Sequence, residues 1–286
     1  MKKIEQAKLN RIIRRVEDLP TLPRTVLRIT ELVNNPGTSA RDLADVVVDD
    51  QVLTARLLRL VNSSFYGFPR KISTVTGAIV LLGFDAIRNL LLTTSILDLF
   101  SNKNRKTDFN REKLWDHSIG CAVGAKIIGS YLKYERVEEL FVAGLLHDIG
   151  KIVEMLFLPK DFAQIVSIVE KENILLFSAE ERVLGYTHAD LGRLLAKKWS
   201  LPSKIEAVIA NHHQPDAADD FKLEAAIIHL SDILCRALDI GSGGDSRIPA
   251  LNKSAWEVLG LDISAVEPVM HAIETEFDSI NMSITA

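Results

Sequence analysis

His117, the dyad His147-Asp148, His188, the adjacent pair His212-His213 and Asp232 follow one another through apolar, helix-spaced sequence. Imidazole nitrogens and carboxylate oxygens are the donors of mixed N/O metal centres, and seven such residues exceed what one four-coordinate zinc requires. Two ions sharing the oxygens of Asp148 would use them, leaving positions for water or substrate. Ligation of this kind, without thiolate, suits one or two divalent ions of iron, manganese, nickel or zinc. Lys151, in the same segment as Asp148, adds an ammonium that can meet a phosphate oxygen as a point charge. Asp148 and Lys151 are therefore the candidate catalytic pair. His229 and His271 read as packing histidines rather than ligands.

These residues need rigid elements to hold them. On a continuous helix Lys151 would share a side with His147 and Asp148, and Gly150 would leave room for a close neighbour. His117 lies in a helix-like run with Gly120 and Gly124 four apart, a spacing that admits another helix. His188 follows Thr187, an N-cap by pattern. His212 and His213 close a helix begun after Pro202, and Asp232 sits in the periodic stretch Ala225–Leu238, where an unpaired carboxylate is costly. Ser39-x-x-Asp42, Ser178-x-x-Glu181 and Thr187-x-x-Asp190 are capping-box patterns. Leu53, Leu57, Leu60 and Val61 make an apolar helical stripe, and Val46-Val47-Val48, although β-branched, falls inside helix-spaced sequence.

The expected fold is all-α: an N-terminal helical bundle, a multi-helix histidine-bearing core and a short C-terminal helical tail. The polar run Ser101–Thr107 and the glycine-rich Gly241–Asp245 divide it into segments 1–107, 108–240 and 241–286. A net charge of −4 gives no general attraction to nucleic acid or anionic membrane. The N-terminus lacks a signal-peptide pattern and no apolar run is long enough to span a bilayer, so a cytoplasmic protein without membrane partners is expected. The two cysteines, Cys121 and Cys235, lie in apolar helical sequence and read as buried free thiols. Basic residues Arg56, Arg59, Arg70, Lys71 and Arg88, with a possible helix-turn-helix over Ser39–Phe65, raise nucleic-acid binding. Arg56 and Arg59 on the polar face of an amphipathic helix argue instead for a solvated surface. The aromatic cluster Phe65–Pro69 reads as a cap on the core.

The ligand order resembles that of the HD superfamily of metal-dependent phosphohydrolases, and most closely its HDOD branch. The resemblance runs from roughly Leu19 to Leu238 through Leu19–Pro23 (LPTLP), Leu58–Tyr66 (LRLVNSSFY), Ile72–Gly83 and Gly144–Lys151 (GLLHDIGK). It continues through His188–Gly192, Trp199–Pro202 and Asn211–Pro215 (NHHQP). It implies an all-helical fold and bacterial cytosolic signalling, often without demonstrated catalysis. The related HD-GYP phosphodiesterases, which cleave cyclic di-GMP, imply His117, His147, Asp148 and Asp232 around one ion. Asp148 would bridge to a second ion on His188, His212 and His213, and Lys151 would contact phosphate. Two departures weigh against cyclic di-GMP hydrolysis and a third metal. Gln214-Pro-Asp-Ala-Ala replaces the GYP segment, and Lys113 stands where trimetallic relatives place a glutamate. The resemblance thus implies a signalling module whose partners are signalling proteins or a small phosphate-containing ligand. Its rival is an active phosphohydrolase or phosphodiesterase on a nucleotide or cyclic dinucleotide.

Overall fold

The computed structural model describes residues 24–91 and 109–285, apart from positions 34, 36, 63–65, 67, 69, 85 and 89. The motif Leu19–Pro23, the polar run Ser101–Thr107 and Phe65 lie outside the described residues. Within them the elements are helical and no strand occurs.

The N-terminal part comprises α1 (Arg24–Val33), α2 (Ala40–Val48), α3 (Gln51–Val61) and α4 (Val75–Leu82). Ser39 and Asp42 close the capping box that starts α2, and this start sets the helix through the three valines. Val46 and Val47 are buried while Val48 is exposed, so the β-branched run is an amphipathic helix end and not a strand. The predicted stripe Leu53, Leu57, Leu60 and Val61 joins Ile29, Leu43 and Ile79 in one apolar cluster. Tyr66 and Phe68 stack at 6.2 Å and pack against that cluster. The Tyr66 hydroxyl donates to Glu138 at 2.9 Å, which ties the bundle to the histidine-bearing helices.

Those helices are α5 (Arg111–Tyr131), α6 (Val137–Leu146), α7 (Ile149–Phe157), α8 (Pro159–Glu172), α9 (Leu176–Leu184), α10 (His188–Lys198), α11 (Ser203–Asn211) and α12 (Lys222–Ala237). Two further helices follow, α13 (Lys253–Leu259) and α14 (Val266–Thr285). Gly120 and Gly124 do what their spacing predicts. A Cβ at Gly120 would stand 2.6 Å from Ile240, and one at Gly124 would meet Ser231 of α12 and Ile273 of α14 at 3.1 Å. The bare backbone of α5 is therefore a seat for both helices. Gly150 is tighter still, since a Cβ there would lie 1.9 Å from the His188 carbonyl.

Two local expectations are corrected. His147 and Asp148 do not ride on a continuous helix: α6 ends at Leu146, α7 begins at Ile149, and the dyad is the corner between them. Ser178 is not an N-cap, because α9 starts at Leu176. Its first free N–H is satisfied from far away, Leu176 N donating to Asp245 Oδ2 at 2.9 Å. A capping partner supplied by another segment leaves no local pattern to read.

Candidate metal centre

The corner between α6 and α7 is the middle of the site. His147 donates from Nδ1 to the Gly144 carbonyl at 2.6 Å, which leaves the Nε2 lone pair facing inward. That Nε2 is buried without a hydrogen-bond partner, as is Asp148 Oδ1. The other oxygen, Asp148 Oδ2, accepts from Lys151 Nζ at 2.5 Å and lies 3.3 Å from His147 Nε2. Despite its burial, Asp148 is held well below the usual carboxylate range by His147 and Lys151.

On one side, α5 and α12 contribute His117 and Asp232, with His117 Nε2 3.1 Å from Asp232 Oδ1 and 3.8 Å from Asp148 Oδ2. Arg236, one turn on from Asp232, donates to the same Oδ1 at 2.7 Å and keeps Asp232 ionised despite burial. On the other side, His188 at the start of α10 and His212 and His213 at the end of α11 converge. His188 Nε2 lies 3.3 Å from His212 Nε2, 3.1 Å from His213 Nε2 and 3.1 Å from Asp148 Oδ1. The Thr187–Asp190 capping box fixes the start of α10, as its pattern predicts. His212 donates from Nδ1 to the Ile209 carbonyl at 2.9 Å, and His188 Nδ1 faces Glu180 at 2.8 Å. With both Nδ1 atoms engaged elsewhere, the two Nε2 atoms face each other, a contact that a metal ion between them relieves, as does a second proton on His188, whose pKa Glu180 raises despite burial. Burial and the neighbouring imidazoles hold His212 and His213 well below the usual histidine range, so both are neutral and ready to ligate.

Every predicted metal residue thus reaches one buried cluster, as two groups joined by Asp148. His229 takes the packing role expected of it: its Nδ1 donates to the His212 carbonyl at 2.8 Å and its Nε2 accepts from Asn252 N at 3.1 Å. Lys151 is fully buried, its ammonium divided between Asp148 and the Gly243 carbonyl at 2.7 Å. The predicted glycine loop is thus pressed over the centre. Side chains at Gly241 or Gly243 would run into the backbone of His117 or the guanidinium of Arg236.

Four participants carry no signal that the sequence reading used. Glu180 binds the ring of His188 and also accepts its backbone N–H at 2.9 Å. Glu154, fully buried, is pushed well above the usual carboxyl range by burial and by Glu180. Cys121 Sγ approaches His117 Nε2 at 3.6 Å. Arg236, four residues after Asp232, is the one whose spacing was visible in advance. His213, the half-buried member of the cluster, lies against Phe177 with ring centroids 4.5 Å apart and lines a cleft of about 780 Å³.

Fold and site together define an all-helical protein built around a buried histidine–carboxylate centre. The chain belongs to the HDOD domain family, which matches residues 19–215. A crystal structure of an HDOD domain protein of unknown function from Geobacter sulfurreducens is 32% identical, covers 98% of each chain and superposes with a TM-score of 0.80. A Marinobacter aquaeolei VT8 protein, provisionally named a signal transduction protein, is 26% identical with a TM-score of 0.77 over 98% of this chain and 65% of that one. An uncharacterized protein of Treponema pallidum (strain Nichols) is 27% identical over 230 residues, 79% of this chain and 44% of that protein. The chain therefore spans less than half the length of that curated relative.

Proposed function

We propose that this HDOD chain is a bacterial signalling module whose centre holds two divalent transition-metal ions sharing Asp148. His117, His147 and Asp232 would complete one position, and His188, His212 and His213 the other. The observation that carries the metal reading is the convergence of His188 and His212 through Nε2 at 3.3 Å, with both Nδ1 atoms engaged elsewhere. His117, His147, Asp148, His188, His212 and Asp232 are each at most 1% exposed and come from different helices, so ions held there would bind those helices together, which supports a regulatory role. Lys151 supports the same reading, because its ammonium is already spent on Asp148 and Gly243. The fold alone decides nothing here. Partners would be signalling proteins or a small phosphate-containing ligand meeting the His213 cleft, in a cytoplasmic setting. No helix among the described residues is long and apolar enough to cross a membrane.

The cleft favours one second reading, an active phosphohydrolase or phosphodiesterase on a nucleotide or cyclic dinucleotide. Arg182 and Arg193 line it beside His213 and, on exchanging their partners Glu172 and Glu206, would meet an anionic substrate. The bound ions would supply an acidified water and charge stabilisation. Metal-loaded protein should be screened against cyclic dinucleotides, nucleotides and an aryl phosphodiester. Turnover no higher than that of the His147→Ala/Asp148→Ala double variant is expected. Turnover that this variant abolishes would replace the regulatory reading with the enzymatic one.

A further inference from the structure

Cys121 stands one helical turn beyond His117 on the same face of α5, fully buried. Its sulfur lies 3.6 Å from His117 Nε2. Donor atoms of His117, Cys121, His147 and Asp232 all fall within 4.8 Å of one another. An ion with arms of about 2.0–2.3 Å spaces its neighbouring ligands about 3.0–3.7 Å apart. The 3.6 Å sulfur–nitrogen and 3.1 Å nitrogen–oxygen separations already match that spacing. His147 Nε2, buried and without a hydrogen-bond partner, is aimed into the same space.

Charge points the same way. Asp232 and Asp245 share Arg236, and Asp148 is paired with Lys151, so Asp232 and Asp148 each already face a cation. A divalent ion entering among these pairs and neutral imidazoles adds buried positive charge, which is costly. A thiolate at Cys121 offsets part of it, and thiols that bind metal do so deprotonated.

We propose that Cys121 is a metal ligand, joining His117, His147, Asp232 and the shared Asp148 at one position of the centre and biasing that position toward zinc or iron. The inference rests on the metal-centre reading above. Thiolate ligation favours these softer ions over manganese. Cys235, whose thiol lies beside Cys121, is the control.

The test is to load the intact chain with cobalt(II) or zinc. Thiolate-to-cobalt charge-transfer absorption and the X-ray absorption fine structure at the zinc edge are then recorded. Wild type and Cys235→Ala should show the absorption band and a sulfur shell at about 2.3 Å. Cys121→Ser and Cys121→Ala should lose both, with affinity at that position falling at least about 10-fold, the lower bound for losing even an outer partner. Bound metal with only nitrogen and oxygen neighbours overturns the thiolate assignment and leaves the two-ion reading standing. A sulfur shell lost in Cys235→Ala but kept in Cys121→Ser overturns it in favour of the neighbouring cysteine. Failure of folded wild type to bind either metal overturns both the assignment and the metal centre.

Discussion

Glu180 accepts from His188 through both its ring and its backbone N–H, so one carboxylate sets the tautomer and the position of a proposed ligand. Glu180→Gln keeps the volume but offers His188 a weaker acceptor. It should lower affinity for the ion near His188 by about 10–100-fold in a chelator competition and leave the ion near His117 largely untouched. Equal loss at both positions would mean that Glu180 acts through folding instead. His117 gives the centre its pH response. Burial pulls its pKa down, but Cys121 and Asp232 outweigh burial and hold it at about 9. In the metal-free chain this protonation contributes stability that is complete below the ordinary 6.5 and is lost as pH rises through about 9. An ion needs the neutral ring and, with Cys121 as a ligand, the thiolate, so its affinity should strengthen by at least about tenfold per pH unit up to that point, one proton being displaced from His117 and a second from Cys121. Titrations between about pH 6 and 9 that give a flat apparent Kd would contradict the proton count.

At the scale of elements, the corner between α6 and α7 is what brings His147, Asp148 and Lys151 together, and Gly150 is what lets α10 dock against it. Gly150→Ala would drive a methyl into the His188 carbonyl and should destabilise the chain by about 3 kcal/mol or more, read by denaturant unfolding. A variant as stable as wild type would show that α10 can back away from α7. Asp245 is a second joint: one oxygen caps α9 and the other accepts from Arg236 at 3.0 Å. Asp245→Ala should cost about 1–2 kcal/mol through the lost cap alone, and undiminished stability would deny it that role. These joints also show what the residues announced in advance. Helix content, the seat at Gly120 and Gly124 and the capped start before His188 were legible because each depends on neighbours in sequence. That these histidines and aspartates belong together was legible through their order. The cap on α9, the carboxylate behind His188 and the carbonyl on Lys151 were not, because each partner arrives from a different segment through tertiary packing. The break after Leu146 escaped for a different reason: the apolar period runs through it, and backbone geometry alone marks the corner.

Across the whole molecule, the centre lies where α5, α6, α7, α10, α11 and α12 meet, so ions bound there would tie elements distant in sequence. The apolar clusters on either side of α5 share that framework, one reaching α7–α11 and the other α12–α14. An ion that binds only the folded chain stabilises it by about 4 kcal/mol at a free concentration about 1,000 times its Kd. Chelation should accordingly lower the unfolding temperature, and re-addition of metal should restore it. Unfolding temperatures that ignore both treatments would separate the histidines from any metal-dependent fold. The central claim is a two-ion centre shared through Asp148, and elemental analysis of protein purified without added metal or chelator tests it most directly. About two transition-metal ions per chain, lost together in the His147→Ala/Asp148→Ala variant, is the predicted result. A folded wild-type chain that carries no metal and takes none up on reconstitution would contradict it.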